Sequence, residues 1–186
     1  DFGDVQRAVE AIEAAYARVG WGSVQVLLPE QTLEAGTVAI RVIEGRIARI
    51  TVEGNQHFGE ENVRAAVPDL RLGQTPRPLD MQESVRLANE NPAKQTAIVL
   101  RAGEKEGDVE ALLRVADQPP RSMSVSFDNT GNRQTGDWRL GVGFQHANLF
   151  GRDHVFNVQA TTSPGHYDQV RIVGLGYRIP FYASGD

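Results

Sequence analysis

An internal repeat, followed by a tract of different character, constrains this chain more than any other feature. In the first copy an amphipathic helix leads to strand 24–28, a turn running from Pro29 to Gly36, strand 38–42 and the pair Glu44-Gly45. The second copy has a helix near 80–90, strand 95–101, a turn from Arg101 to Gly107 and strand 108–116. A repeat of small α/β units followed by such a tract reads as two copies of a docking module feeding something built from long strands.

Residues 4–19 read as a helix because Val5, Ala8, Val9, Ile12, Tyr16 and Val19 fall on one apolar stripe. Asp4 is placed to cap its start, and Gly20 and Gly22 to end it. In the hairpin that follows, alternation puts Val24, Val26, Leu28, Val38, Ile40 and Val42 on the face toward that helix. One helix and two strands make a thin core, and the native unit is expected to continue upstream of Asp1. The second unit reads β-α-α-β-β. Strand 46–53 should bury Ala48, Ile50 and Val52. A short helix lies near 59–67, and the helix near 80–90 opens on Asp80 and Glu83, which have capping-box spacing. The joint between the units, Glu44-Gly45-Arg46, is too short for free tumbling.

Beyond Pro119-Pro120 charges thin out and glycines multiply. Met123, Val125 and Phe127 alternate with serines; Trp138, Leu140, Val142 and Phe144 alternate with Arg139, Gly141, Gly143 and Gln145. Phe156, Val158 and Ala160 continue the pattern, as do Val173, Leu175, Tyr177 and Ile179 on a last strand near 169–181. One apolar face opposite a small, polar face suits a transmembrane barrel, with lipid outside and water within. A β-sandwich shares the alternation but usually places fewer glycines on its polar face.

Composition excludes several classes. A net charge of −5 argues against nucleic acid, whose phosphates call for a clustered basic surface. No run of about 18 apolar residues exists to form a spanning helix, a test that barrel strands escape. With no cysteine, disulfides, thiolate zinc sites and thiol catalysis fall together. His57, His146, His154 and His166 match no metal-ligand spacing. Gly141-Val142-Gly143 and Gly174-Leu175-Gly176 belong to strands and lack the strand-to-helix context of a dinucleotide loop. No cofactor, metal or catalytic residue is expected, and the chain does not read as an enzyme.

The chemistry left is recognition of extended polypeptide, since an edge strand offers unpaired N–H and C=O groups to an incoming chain. The candidates are Gln25, Leu27, Pro29 and Gln31 in the first unit and Thr96, Ile98 and Leu100 in the second. Leu27, opposite the core face of its strand, is the more telling apolar candidate.

Several stretches carry a family resemblance. Gly20-Trp21, Leu28-Pro29-Glu30-Gln31 and Val42-Ile43-Glu44-Gly45-Arg46-Ile47 resemble the end of the first POTRA (polypeptide-transport-associated) module of two-partner secretion transporters, the TpsB family. Ile50-Thr51-Val52-Glu53-Gly54-Asn55 and Leu87-Ala88-Asn89-Glu90-Asn91-Pro92 resemble its second module. Asp128-Asn129-Thr130-Gly131, Asn148-Leu149-Phe150-Gly151-Arg152-Asp153 and Tyr177-Arg178-Ile179-Pro180 resemble the opening of its barrel. The resemblance implies an α+β chain: POTRA module 1 (C-terminal part) over 1–45, POTRA module 2 over 46–118 and about four antiparallel barrel strands over 119–186. It implies a Gram-negative outer-membrane location with periplasmic POTRA modules, lipid around the barrel, and a secreted TpsA-type exoprotein, an adhesin or haemolysin, as partner. A factor that inserts other barrels into the membrane is the alternative; a soluble single-POTRA module is a third reading. Four strands with open edges are expected to pair with a neighbouring copy or to need detergent.

Overall fold

The computed structural model describes residues 2–21, 24–31 and 37–182. Gly22 and Gly36, expected at turns, lie outside them.

Helix α1 (Phe2–Arg18) half-buries Val5, Val9, Ile12 and Tyr16 of the expected stripe, while Ala8 is exposed and Val19 lies exposed beyond the helix end. Asp4 does not cap it: the helix begins earlier, and Asp4 sits inside the first turn, ion-paired to Arg7. Gly20, at φ 85°, turns the chain out of the helix, a conformation that costs glycine little. Strands β1 (Val24–Leu27) and β2 (Arg41–Glu44) pair antiparallel, with α1 against β1. Both are shorter than expected. Val26 is buried and lies opposite Val42, but Val38 and Ile40 precede β2 and Leu28 is exposed beyond β1.

The second unit has the expected order: β3 (Arg46–Glu53), α2 (Glu60–Ala65), α3 (Pro78–Ala88), β4 (Lys94–Ala102) and β5 (Asp108–Asp117). β5 is central, parallel to β3 and antiparallel to β4. A bulge between Ile47 and Arg49 shifts the phase of β3, so Ile47 is buried and Ala48 is exposed, against the simple alternation. The capping box does not form either. Pro78 starts α3 two residues early, leaving Asp80 in the first turn beside Arg77 (3.2 Å) and Glu83 paired to Arg86 (2.7 Å). Ile47, Phe58, Val63, Val67, Met81 and Leu113 form the core between helices and sheet. Gly54 (φ 87°) closes the end of β3, where a Cβ would stand 2.2 Å from the Val115 carbonyl oxygen.

Four strands then run as an antiparallel meander: β6 (Arg121–Asp128), β7 (Arg139–Leu149), β8 (His154–Thr162) and β9 (Arg171–Arg178). Register aligns Val125 with Val142, Val142 with Ala160 and Ala160 with Val173, so the apolar residues share one face across all four strands. Ser124 faces Gly143 and Gly143 faces Gln159 on the other. The apolar face is bare: Met123 is 83% exposed, Val125 73% and Leu175 73%. No second sheet covers it among the described residues, which separates this arrangement from a sandwich. No described helix is long and apolar enough to cross a membrane, a statement that does not bear on strands.

Candidate functional site

Strand β4 lies at an edge of its sheet, and the direction of its backbone groups can be worked out. The Gln118 N–H donates to the Ala93 carbonyl (2.9 Å) and the Gly103 N–H to the Asp108 carbonyl (2.8 Å). Positions 93 and 103 therefore turn toward β5. Because the β4–β5 register is unbroken, every odd-numbered residue between them does the same. The N–H and C=O groups of Thr96, Ile98, Leu100 and Ala102 point the other way.

At Thr96 that outer edge is taken. The Thr96 N–H donates to Asn89 Oδ1 (2.6 Å), and Asn89 Nδ2 donates to the Thr96 carbonyl (3.0 Å). One side-chain amide at the end of α3 thus does what a neighbouring strand would do. From Ile98 to Ala102 no other strand pairs with the edge among the described residues. The opposite edge of the sheet is covered at its start and middle. Ile47 exchanges hydrogen bonds with Gly73 (2.7 Å) and Gln74 (2.9 Å), and Arg64 Nη2 donates to the Ile50 carbonyl (2.7 Å). Among the described residues β4 keeps about three outward positions without a strand partner.

The open edge runs into a cleft. A cavity of about 450 Å³ lies between the first hairpin and the β4–β5 tip, walled by Val24, Gln25 and Ile43 on one side and by Leu100, Ala102 and Gly103 on the other. The two units are held at the back of this cleft. The Arg46 N–H donates to the Gly107 carbonyl (2.7 Å), the Ile43 side chain packs on Gly107, and Arg41 pairs with Glu106 (3.3 Å). That exposed ion pair adds about 0–1 kcal/mol; the short linker and the packing set the geometry.

The residues singled out from sequence separate into groups. Gln25 and Leu100, from different units, line one cleft. Ile98 and Leu100 offer outward backbone, while their side chains pack partly on the core. Thr96 is 3% exposed and its backbone is occupied, so the open edge begins one rung later. Gln31 is also occupied: the Ala39 N–H donates to its Oε1 (2.7 Å) and its Nε2 donates to the Ala39 carbonyl (2.9 Å). Leu27, 39% exposed, and exposed Pro29 flank the hairpin without joining the cleft wall. Sequence reasoning missed Asn89 as the edge closer and the 101–108 turn as a wall. An asparagine just past a helix, seven residues before an edge-strand position, was the available signal for the former.

Both ends of the chain match known families. Residues 1–45 match the ShlB-type POTRA domain, and residues 109–184 match the haemolysin secretion/activation proteins ShlB/FhaC/HecB. Both ends are thus similar to TpsB-type two-partner secretion transporters. Among curated relatives, the heme/hemopexin transporter protein HuxB of Haemophilus influenzae is 26% identical over 149 residues, 80% of this chain and 26% of the relative. The outer membrane transporter CdiB of Dickeya dadantii is 29% identical over 136 residues, 73% of this chain and 24% of the relative. The chain thus spans about a quarter of the length of the curated relatives it matches. The fold agrees with that of CdiB from Escherichia coli, at a TM-score of 0.77 and 23% identity over 97% of this chain and 34% of that one. BamA from Haemophilus ducreyi lacking POTRA domains 1–3 shares the fold more distantly, at a TM-score of 0.51, 17% identity, and 97% and 34% coverage. The CdiB relatives are outer membrane transporters by name.

Proposed function

We propose that this chain receives an exported polypeptide in the periplasm and hands it to an outer-membrane pore whose wall begins with β6–β9. In this reading residues 1–45 and 46–118 are the POTRA modules and 119–186 the first barrel strands. The partner is the secretion domain of a TpsA-type exoprotein, an adhesin or haemolysin. It docks by adding a strand to β4. Backbone pairing at Ile98, Leu100 and Ala102 tolerates many sequences, and the cleft at Gln25 selects among them. Export needs no nucleotide, since the exoprotein's folding outside the cell supplies the drive. The bare apolar face of β6–β9 meets lipid; without the rest of a barrel it calls for detergent or a second copy.

The observation that carries this reading is the open run of outward N–H and C=O groups on β4, which empties into a cleft shared by both modules. It can be tested on one atom. Ala102 is exposed and its N–H points away from β5, so Ala102→Pro removes an edge donor without breaking the sheet. We expect capture of an exoprotein secretion domain by the full-length transporter to weaken at least tenfold, with the POTRA fold unchanged. Unaltered capture would remove β4 as the docking edge. Equal binding of many unfolded barrel proteins, with no preference for the exoprotein, would favour the barrel-insertion alternative.

A further inference from the structure

The strand that offers the open edge also starts in the most deeply buried polar cluster of the described residues. Lys94 opens β4, and its Nζ lies 2.6 Å from Asp153 Oδ2, both side chains fully buried. Asp153 belongs to the β7–β8 turn of the barrel tract, so the ion pair joins POTRA2 to the barrel wall. The polar groups around the pair include two asparagines that also reach across the same boundary, Asn91 and Asn62. Tyr182 Oη donates to Asp153 Oδ2 (2.8 Å), and Asn91 Nδ2 donates to the Ala147 carbonyl (2.7 Å) and lies 3.3 Å from Asp153 Oδ1. Asn62 Nδ2 donates to the Gly151 carbonyl (2.8 Å), while Lys94 Nζ reaches Asn62 Oδ1 (3.4 Å) and sits 5.2 Å over the Phe58 ring. The turn is itself constrained. Asp153 holds φ 59°, and its N–H donates to Asn148 Oδ1 (3.0 Å).

Adhesion between the two bodies has another source. Ala147 and Val155 of the barrel tract are buried in the same apolar cluster as Phe58 and Leu113. Apolar contact of this kind is non-directional. A buried ion pair contributes little net stability, because desolvating two charges offsets their attraction, but its bond angles are demanding. We propose that the Lys94–Asp153 cluster is a bearing lock: it fixes the direction in which β4 presents its open edge beneath the barrel, rather than holding the two bodies together. Ala102 stands eight residues from Lys94, about 26 Å along a strand at ~3.3 Å per residue. A swing of about 20° at the lock would carry that edge about 9 Å, nearly two interstrand spacings. An incoming chain would then be aimed at the rim instead of the lumen.

The importance of this bearing for export rests on the function proposed above, so the test reads geometry and export separately. Spin labels can be placed through Lys105→Cys, at the β4–β5 tip, and Met123→Cys, on β6, since residues 1–186 hold no cysteine and any elsewhere in the full-length transporter is first replaced by serine. In the full-length transporter the parent should give one narrow distance. The double variant Lys94→Met/Asp153→Leu replaces the pair with apolar side chains. Its barrel should still fold, judged by heat-dependent gel mobility, while its distance distribution at least doubles in width and export falls at least tenfold. Tyr182→Phe should fall between the two. Joining Glu90→Cys to Arg178→Cys with a short bismaleimide, at the exposed ion pair that spans the same boundary (2.9 Å), should restore export to the unlabelled double variant. A distribution as narrow as the parent's would overturn the proposal. So would a double variant whose barrel fails to fold, which would assign the pair to stability, or a cross-link that fixes the bearing without restoring export. If the parent itself captures no exoprotein, the docking role fails while the distance result still decides the lock.

Discussion

Asn89→Ala is the substitution whose outcome follows most directly from the structure. It deletes the acceptor for the Thr96 N–H and the donor to the Thr96 carbonyl at one stroke. Thr96 is 3% exposed, so both groups lose their partner in a place that water reaches poorly. Leaving a buried backbone group unpaired costs about 1–3 kcal/mol, so two such groups give about 2–6. The space vacated by the amide admits some water, which places the expectation near 3 kcal/mol, or about a 150-fold change in the local opening equilibrium. The helix itself is undisturbed, because position 89 is right-handed and its backbone N–H still bonds the Val85 carbonyl (3.0 Å). Hydrogen exchange at the Thr96 amide, read in the full-length transporter, should speed up by about two orders of magnitude. Asn89→Asp keeps the acceptor but sets a carboxylate oxygen against the Thr96 carbonyl, and should fall between the parent and Asn89→Ala. If exchange in Asn89→Ala rises less than tenfold, the amide does not close the edge and the assignment of where docking begins is wrong.

Two further outcomes can be checked by simpler means. Asp117 accepts hydrogen bonds from the backbone N–H groups of Gln56 (3.0 Å), His57 (2.9 Å) and Phe58 (2.9 Å). Partial burial pushes its carboxyl up, but the three donors outweigh this and hold it below the usual carboxylate range. The contribution is therefore present above the ordinary aspartate pKa near 3.8 and is lost as pH falls through the lower folded value. Asp117→Ala should cost about 2 kcal/mol at pH 7, a figure discounted for solvent access, and should flatten the acid limb of urea unfolding profiles; an unchanged acid limb would discard the account. On the barrel tract, Val125→Arg sets a charge on the face assigned to lipid and should cost about 2–4 kcal/mol, seen as loss of the heat-modifiable folded band. Gly174→Ser, on the opposite face where a Cβ meets nothing within 4 Å, should assemble normally. The reverse ranking would invert the two faces.

What the sequence made legible were the features set by near neighbours. The apolar stripe of α1, the alternation of β6–β9 and the β-α-α-β-β order depend on residues a few positions apart, and each is observed, the stripe without Ala8 and Val19. The errors share one cause. Ile47 replaced Ala48 in the core because a bulge, fixed by pairing with β5 some 60 residues on, broke the phase of β3. Asp80 lost its capping role because Pro78, with φ already set for a helix, was the better first residue. The polar cluster at the POTRA–barrel boundary was invisible for the same reason at greater range: Lys94 and Asp153 stand 59 residues apart. A single lysine at the start of a strand carries no local sign that it will be buried.

These observations meet on one strand. β4 is pinned at its first residue, closed by an amide at its third, open from its fifth to its ninth, and ends at a cleft whose far wall belongs to the other module. A strand that served only as a sheet edge would be expected to show charge, proline or a bulge along its open part, the usual defences against unwanted pairing. From Ile98 to Ala102 the sequence reads Ile-Val-Leu-Arg-Ala, and the pairing with β5 is regular throughout. Arg101 is the one charge there, and it turns its backbone inward. An edge left undefended over a short stretch, beside a closed rung on one side and a cleft on the other, admits a guest strand in few registers. On the function proposed above, that restriction gives a fixed bearing its use: a guest held in one register, on a strand joined to the barrel tract, would approach the pore from one direction.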